Sequence, residues 1–153
     1  MAQFKIPVSV LVIIYTPTLE VLLMERADRP DFWQSVTGSQ NHETETLQQT
    51  AIREVNEETG LNALNYPLTN WHIQNYYQIY EYRHHLYSPG VTHNTEHVFG
   101  LALPQPIEIR LAPLEHIRYA WLPWKEAAEK CFSETNRQAI LMLPEKIAKQ
   151  RDR

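Results

Sequence analysis

Between Gly38 and Leu61 the chain concentrates acid in a stretch whose pattern is helical. Glu54, Glu57 and Glu58 lie within five consecutive residues. On a helix they project within an arc of roughly 100°, and Ala51, Ile52 and Val55 fill the neighbouring arc. Such a helix packs along one stripe and presents carboxylates along the next. Thr46 followed by Gln49 is a capping-box pattern, and Gly60 supplies the left-handed residue that closes the other end. The spacing predicts a helix from about Leu47 to Thr59, preceded by a loop that starts at a glycine. Carboxylates at i,i+3 and i,i+4 destabilise a helix by roughly 0.2–0.5 kcal/mol per pair, a penalty that a bound hard cation relieves. Magnesium fits, because it prefers carboxylate oxygens and commonly completes its shell with water and substrate phosphates. The alternative is a solvated acidic face in which Arg53 pairs with Glu57.

A chain of 153 residues is the size of one ordinary domain and buries roughly two-thirds of its unfolded surface, so residues 1–153 are read as a single domain. A formal charge of −4 argues against nucleic acid as a partner, since that binding depends on neutralising phosphates with Lys and Arg. A small triphosphate can still bind if magnesium accompanies it. Cys131 is the single cysteine, which fits a reducing compartment. The apolar run Val8 to Tyr15 is too short to span a membrane and has no basic leader. The expectation is a cytoplasmic protein with no membrane partner. Nothing in the sequence sets an oligomeric state.

Val8 to Tyr15 is β-branched and nearly continuous, as in a strand covered on both faces. Strands are also expected at Leu19 to Glu25, Phe32 to Thr37, Trp71 to Tyr87, Thr95 to Leu103, Ile107 to Leu111 and Ile117 to Leu122. Asn62 to Asn70 reads as an irregular connection. Pro123, favoured at a first helical position, is expected to open a helix to about Lys130. A last helix should run from about Asn136 to Leu143, ended or kinked by Pro144, with a charged tail that frays. His84, His85, His93 and His97 lack the paired-cysteine spacing of a structural zinc site, and on a strand His84 and His85 would face opposite ways. The order of elements suggests an α/β fold with a mixed sheet between helices.

Gly38, Glu45 and the run Arg53-Glu54-Val55-Asn56-Glu57-Glu58-Thr59-Gly60-Leu61 resemble the Nudix box, the signature of hydrolases that cut a nucleoside diphosphate linked to another group. Six residues separate Gly38 from Glu45, one more than the family usually has, so the aim of Glu45 depends on how the loop absorbs the extra residue. Further matches are Phe4-Lys5-x-Pro7-Val8-Ser9, Asp31 to Ser39, Tyr87-x-Pro89-Gly90-Val91-Thr92-x-Asn94-Thr95-Glu96 and Asn136 to Ile140. With them the chain resembles the bacterial dihydroneopterin triphosphate pyrophosphatase branch of that family.

The resemblance implies a Nudix-type α/β/α sandwich and hydrolysis of the triphosphate to a monophosphate and pyrophosphate, a step toward folate. It implies Mg2+ as cofactor, with Mn2+ as an alternative, held by Glu54 and Glu58 and by a glutamate in a late loop. Glu115 is that residue, with Glu96 as its competitor. Lys5, Arg26 and Thr37 match positions that touch substrate, and Tyr77, Gln78, Ile79 and Tyr80 match a segment that lines the substrate, where a planar ring can stack on tyrosine. Glu57 is left as the general base, and Arg53 as the residue that orients the carboxylates. Two alternatives stand beside this reading: a pyrophosphatase that cleanses the nucleoside triphosphate pool, and a Nudix-fold module that binds nucleotide without cutting it.

Overall fold

A computed structural model describes residues 3–151. In chain order the elements are β1 (Val8–Tyr15), β2 (Glu20–Arg26), β3 (Trp33–Gln34), β4 (Val36–Ser39), α1 (Leu47–Thr59), β5 (Leu68–Gln78), β6 (His93–Ala102), β7 (His116–Pro123), α2 (Trp124–Lys130), α3 (Glu134–Leu141) and α4 (Leu143–Arg151). Short 3-10 turns at Ala63–Asn65 and Glu81–Leu86 flank β5.

Among the described residues the strands form one mixed sheet in the order β3-β2-β1-β6-β5. β1 runs parallel to β6 along its whole length, from Val8 opposite Thr95 to Tyr15 opposite Ala102. On its other side β1 changes partner. Its first half pairs with β4, Ser9 facing Ser39 and Val12 facing Val36, and only Tyr15 pairs with β2. β2 meanwhile pairs with β7 and β3. The sheet therefore forks, and the ends of β4, β2 and β7 form the walls of a cleft.

Both faces of β1 are covered, as its composition predicts. Val10, Val12 and Ile14 pack with Ala51 and Val55 of α1. Leu11 and Ile13 face the other way, toward Ala127, Ala139, Ile140 and Leu143 of the C-terminal helices. Each of the Val, Leu and Ile side chains contributes roughly 1.5–3 kcal/mol by leaving water. The result is a helix layer on either side of a mixed sheet, the expected α/β/α sandwich.

Helix α1 has the predicted limits. Thr46 accepts from the Gln49 backbone N–H at 3.1 Å and the Gln49 side chain accepts from the Thr46 N–H at 2.9 Å. Gly60 takes φ 76° and donates its N–H to Asn56 O, a conformation in which a Cβ would also press on Arg110.

Several expected elements change. Ile107 to Leu111 is not a strand, because its backbone is satisfied by groups distant in sequence. Trp121 Nε1 donates to Ile107 O at 3.1 Å, Ile109 N to Tyr119 Oη at 3.4 Å, and Arg110 N to Thr59 O. The strand expected through Tyr87 stops at Gln78. Ile79 N still bonds Thr92 O, after which Arg83 N turns back to Tyr80 O and Tyr87 N to His84 O. His84 and His85 thus lie on a 3-10 turn rather than a strand. Phe32 to Thr37 holds two short strands, split where Asn136 bridges the backbone and hydroxyl of Ser35 at 2.9 and 3.0 Å. The last helix begins earlier, at Glu134 behind the cap Ser133. The chain then continues helical in α4, with Pro144 in its first turn, where a missing N–H does no harm. The tail expected to fray is helical to Arg151, and its last two residues lie outside the described range. Pro123 ends β7 and stands at the cap of α2 rather than inside it.

Candidate active site

The loop between β4 and α1 absorbs its extra residue in a turn. Glu45 N bonds His42 O, Gln40 Nε2 donates to Glu45 O at 2.9 Å, and Asn41 N donates to Glu45 Oε1 at 3.0 Å. Glu45 consequently still points at α1. It accepts from Arg53 through both Nε and Nη2 at 3.0 Å and from Thr50 Oγ1 at 2.7 Å. The Arg53 bonds, with Asn41 and Thr50, hold the Glu45 carboxyl down to about 2. Arg53 also donates to Ser39 O at 2.9 Å, to Glu54 at 2.8 Å and to Glu57 at 3.3 Å. One planar guanidinium thus ties the loop, β4 and the acidic helix together through charge-assisted bonds.

Glu54 and Glu58 face the fork in the sheet. Burial raises the pKa of both, and in Glu58 the neighbouring Glu54 charge and the close approach of that side chain raise it further. Glu58 is 1% exposed. The Thr37 backbone N–H donates to its carboxylate, and its Oε1 has no hydrogen-bond partner. Across from it His116, the first residue of β7, bonds Gln34 at 3.0 Å and stands 3.9 Å from Glu58 Oε1. Burial, aided by the Arg26 charge, lowers His116 to about 4, so the ring is neutral and supplies no counter-charge at pH 7. Glu58, Glu115 and His116 each offer one ligand atom, all within 4.8 Å of one another. Two close carboxyl groups, an orphaned buried oxygen and a neutral imidazole form a donor set short of positive charge. It fits a divalent cation.

Gly38 makes room for this arrangement. A Cβ there would run into the Glu54 carboxylate.

These groups open into a cavity of about 680 Å3. Of the residues named from the sequence, Lys5, Arg26, Thr37, Glu54, Glu58, Tyr77, Gln78, Ile79, Tyr80 and Glu115 all line it. Arg53 and Glu57 lie outside the lining, and the Glu57 carboxylate, 51% exposed, faces Arg53. Lys5 lines the cavity with the acids: burial and the Arg83 charge lower its pKa, while Glu54 and Glu115 oppose that. Arg26 is held by Asp28 through two bonds of 2.8 Å, and its guanidinium lies over the Phe32 ring at 5.5 Å. Glu96, the competitor for the third carboxylate, projects from β6 beside Asn75 and is absent from the Glu58 group.

Sequence reasoning missed His116, Gln34 and Arg83. The signal for His116 was its place after Glu115 at a strand start, where alternation turns one residue outward and the next inward; Glu115 is exposed and His116 is 3% exposed.

The family model for the NUDIX domain matches residues 5–143. A protein named dihydroneopterin triphosphate diphosphatase from Escherichia coli strain K12 is 46% identical over 140 residues, which cover 90% of this chain and 91% of that protein. One of the same name from Haemophilus influenzae is 38% identical over 145 residues, covering 92% and 89%. The solved structure of the E. coli dihydroneopterin triphosphate pyrophosphohydrolase is similar with a TM-score of 0.83 and 45% identity, over 90% of this chain and 94% of that one.

Proposed function

This chain belongs to the NUDIX family, and we propose that within it the chain hydrolyses dihydroneopterin triphosphate to dihydroneopterin monophosphate and pyrophosphate. One observation carries the reading in the molecule itself. A single cavity sets the buried Glu58 and the half-buried Glu54 against the cationic side chains of Lys5, Arg26 and Arg83, in a chain 46% identical to a diphosphatase of that name.

NUDIX hydrolases use divalent cations. In this proposal the cation is magnesium, with manganese as an alternative, and Glu54, Glu58 and Glu115 hold it. When bound, it neutralises phosphate oxygens and so favours attack at phosphorus. Lys5 and Arg26 neutralise further phosphate charge, Arg26 through a fork that matches phosphate geometry, and Thr37 borders the same oxygens. The bond that forms joins water oxygen to phosphorus; the bond that breaks is the bridging P–O that releases pyrophosphate. Glu57 takes the proton of that water, and Arg53 orients Glu57 and Glu54. Glu54 is the second candidate for the proton, because it lines the cavity and Glu57 does not. Tyr77, Gln78, Ile79 and Tyr80 border the ring. Residues 1–153 act as one domain.

The test is competition. Dihydroneopterin triphosphate, GTP and dATP are mixed at equal concentration with magnesium, and each monophosphate is read by mass spectrometry. The pterin should be consumed first. Equal or faster loss of dATP would transfer the chain to the pool-cleansing reading, and release of single phosphates would overturn the reaction class. In the same assay Glu57→Gln should lower turnover by about 10²–10⁴, because an amide accepts no proton. Near-normal turnover in that variant, with a fall in Glu54→Gln, moves the proton to Glu54.

Gly38→Ala gives a separate check on geometry. The added methyl displaces the Glu54 carboxylate, a flexible end, so the fold should survive with a melting temperature close to wild type. Turnover should drop by about 10², the usual consequence of moving a reacting group by an ångström. Unchanged turnover would show that the position of Glu54 is not critical.

A further inference from the structure

On the sheet face opposite the acidic helix, the cavity contains a second polar group that the phosphate chemistry does not use. Asn94 and Glu96 project from alternate positions of β6, on the sheet face of Val98, which packs with the C-terminal helices. The acids of α1 belong to the opposite face. Asn94 is 3% exposed, Glu96 is 5% exposed, and both line the cavity. Asn94 donates its amide hydrogens to Ser9 Oγ at 2.7 Å and to Tyr77 Oη at 2.9 Å. Its Oδ1 is left buried with no partner. Glu96 accepts from Asn75 Nδ2 at 3.2 Å and from Thr135, which leaves acceptor capacity on a carboxylate with about four lone-pair sites. Among the described residues it has no ion pair.

Two buried acceptors in a cavity represent an incomplete set of hydrogen bonds, and an unmade buried bond is expensive. A phosphate cannot complete it, since a polyanion beside Glu96 is repelled. What completes it is a neutral group rich in N–H donors. Tyr77, whose Oη is held by Asn94, lines the same cavity, and its ring is a surface on which a flat ligand can stack.

We propose that Glu96 and the free carbonyl of Asn94 are specificity-determining residues, which accept hydrogen bonds from an exocyclic amine and the adjacent ring N–H of a bicyclic amino-pyrimidinone. This rests on the reading above that the cationic end takes the triphosphate. Dihydroneopterin carries that donor pair, guanine carries the same pair, and adenine has an acceptor in place of the ring N–H.

The experiment follows from that difference. In Glu96→Gln, the kcat/KM ratio of dihydroneopterin triphosphate to dATP should fall about 10–100-fold, and the ratio of GTP to dATP should fall with it, as expected for loss of a charge-assisted bond. Affinity for dihydroneopterin, which has no phosphates, should weaken by a similar factor in a fluorescence titration. Unchanged ratios, whether every substrate falls together or none does, overturn the proposal and leave Glu96 a structural group. A second measurement needs no variant. Wild-type protein should bind pterin at least tenfold more tightly than its N3-methylated form, which lacks the ring donor, and equal binding overturns the proposal. If dATP proves the preferred substrate of wild-type protein, the proposed function fails while the GTP-to-dATP ratio still tests Glu96.

Discussion

Glu58→Gln is expected to lower turnover by about 10³ while making the metal-free protein more stable. The two effects have one origin. Glu58 is 1% exposed, beside Glu54 and within reach of the Glu115 charge, so without a cation the site stores charge repulsion in a dry place. Gln keeps the shape, can still accept the Thr37 N–H, and donates to Glu54 without a titrating proton. The gain in metal-free stability should be about 1–2 kcal/mol at pH 7. Its pH dependence has a definite sign. A carboxyl whose folded pKa is raised holds its proton more tightly in the native state, so wild-type stability is fully present below the unfolded value near 4.5 and declines as pH climbs toward the folded value. The difference between the variant and wild type should therefore vanish below about pH 4 and open as pH rises. Calorimetry in chelator measures it. A less stable variant at pH 7, or turnover within tenfold of wild type in saturating magnesium, would remove Glu58 from the cation site.

Arg53→Met is expected to cost about 2–4 kcal/mol of stability and most of the activity, the usual result of breaking an inward-facing ion pair from one side. Met matches the stem but leaves Glu45, 8% exposed, with only Asn41 and Thr50 as donors. At this chain length the shift in melting temperature should be about 5–15 °C. The sign in pH again follows from the group involved. Glu45 is depressed to about 2, so its contribution is present above the unfolded value near 4.5 and is lost as pH falls toward 2. The variant should accordingly lose less stability than wild type on acidification across that window. Urea denaturation at pH 7 and pH 3 checks both points. A loss under about 1 kcal/mol at pH 7 would make Arg53 an ordinary surface cation.

The limits of α1 and its division into packing and acidic stripes were legible in the chain because caps and periodicity act over three or four residues. The same holds for β1, whose unbroken β-branched run carries the information that both faces are covered. Glu54 and Glu58 were legible as a pair for that local reason, being one turn apart on one helix. Glu115 was reachable only by resemblance, and His116 only through the alternation that turns it inward after Glu115. Their meeting with Glu58 depends on the pairing of β7 with β2, which spans some ninety residues of sequence.

Where the reading went astray, the deciding groups were distant. Ile107 to Leu111 has strand-like residues, but the ends of α1 and the side chains of Tyr119 and Trp121 take its hydrogen bonds first. Asn136 splits one predicted strand in two from 101 residues away. Glu96 is one of several acidic residues in the sequence, and only the alternation along β6 within the assembled sheet sets it apart from the proposed cation site. By itself, then, the sequence determined the elements whose stabilising contacts are local, together with the acidic helix and its cap. The tertiary structure alone decided which carboxylates converge and which face of the sheet each occupies. The physical reason is that a buried charge or an unpaired backbone group is settled by whichever partner the fold brings within about 3 Å, and that partner carries no mark in the neighbouring sequence.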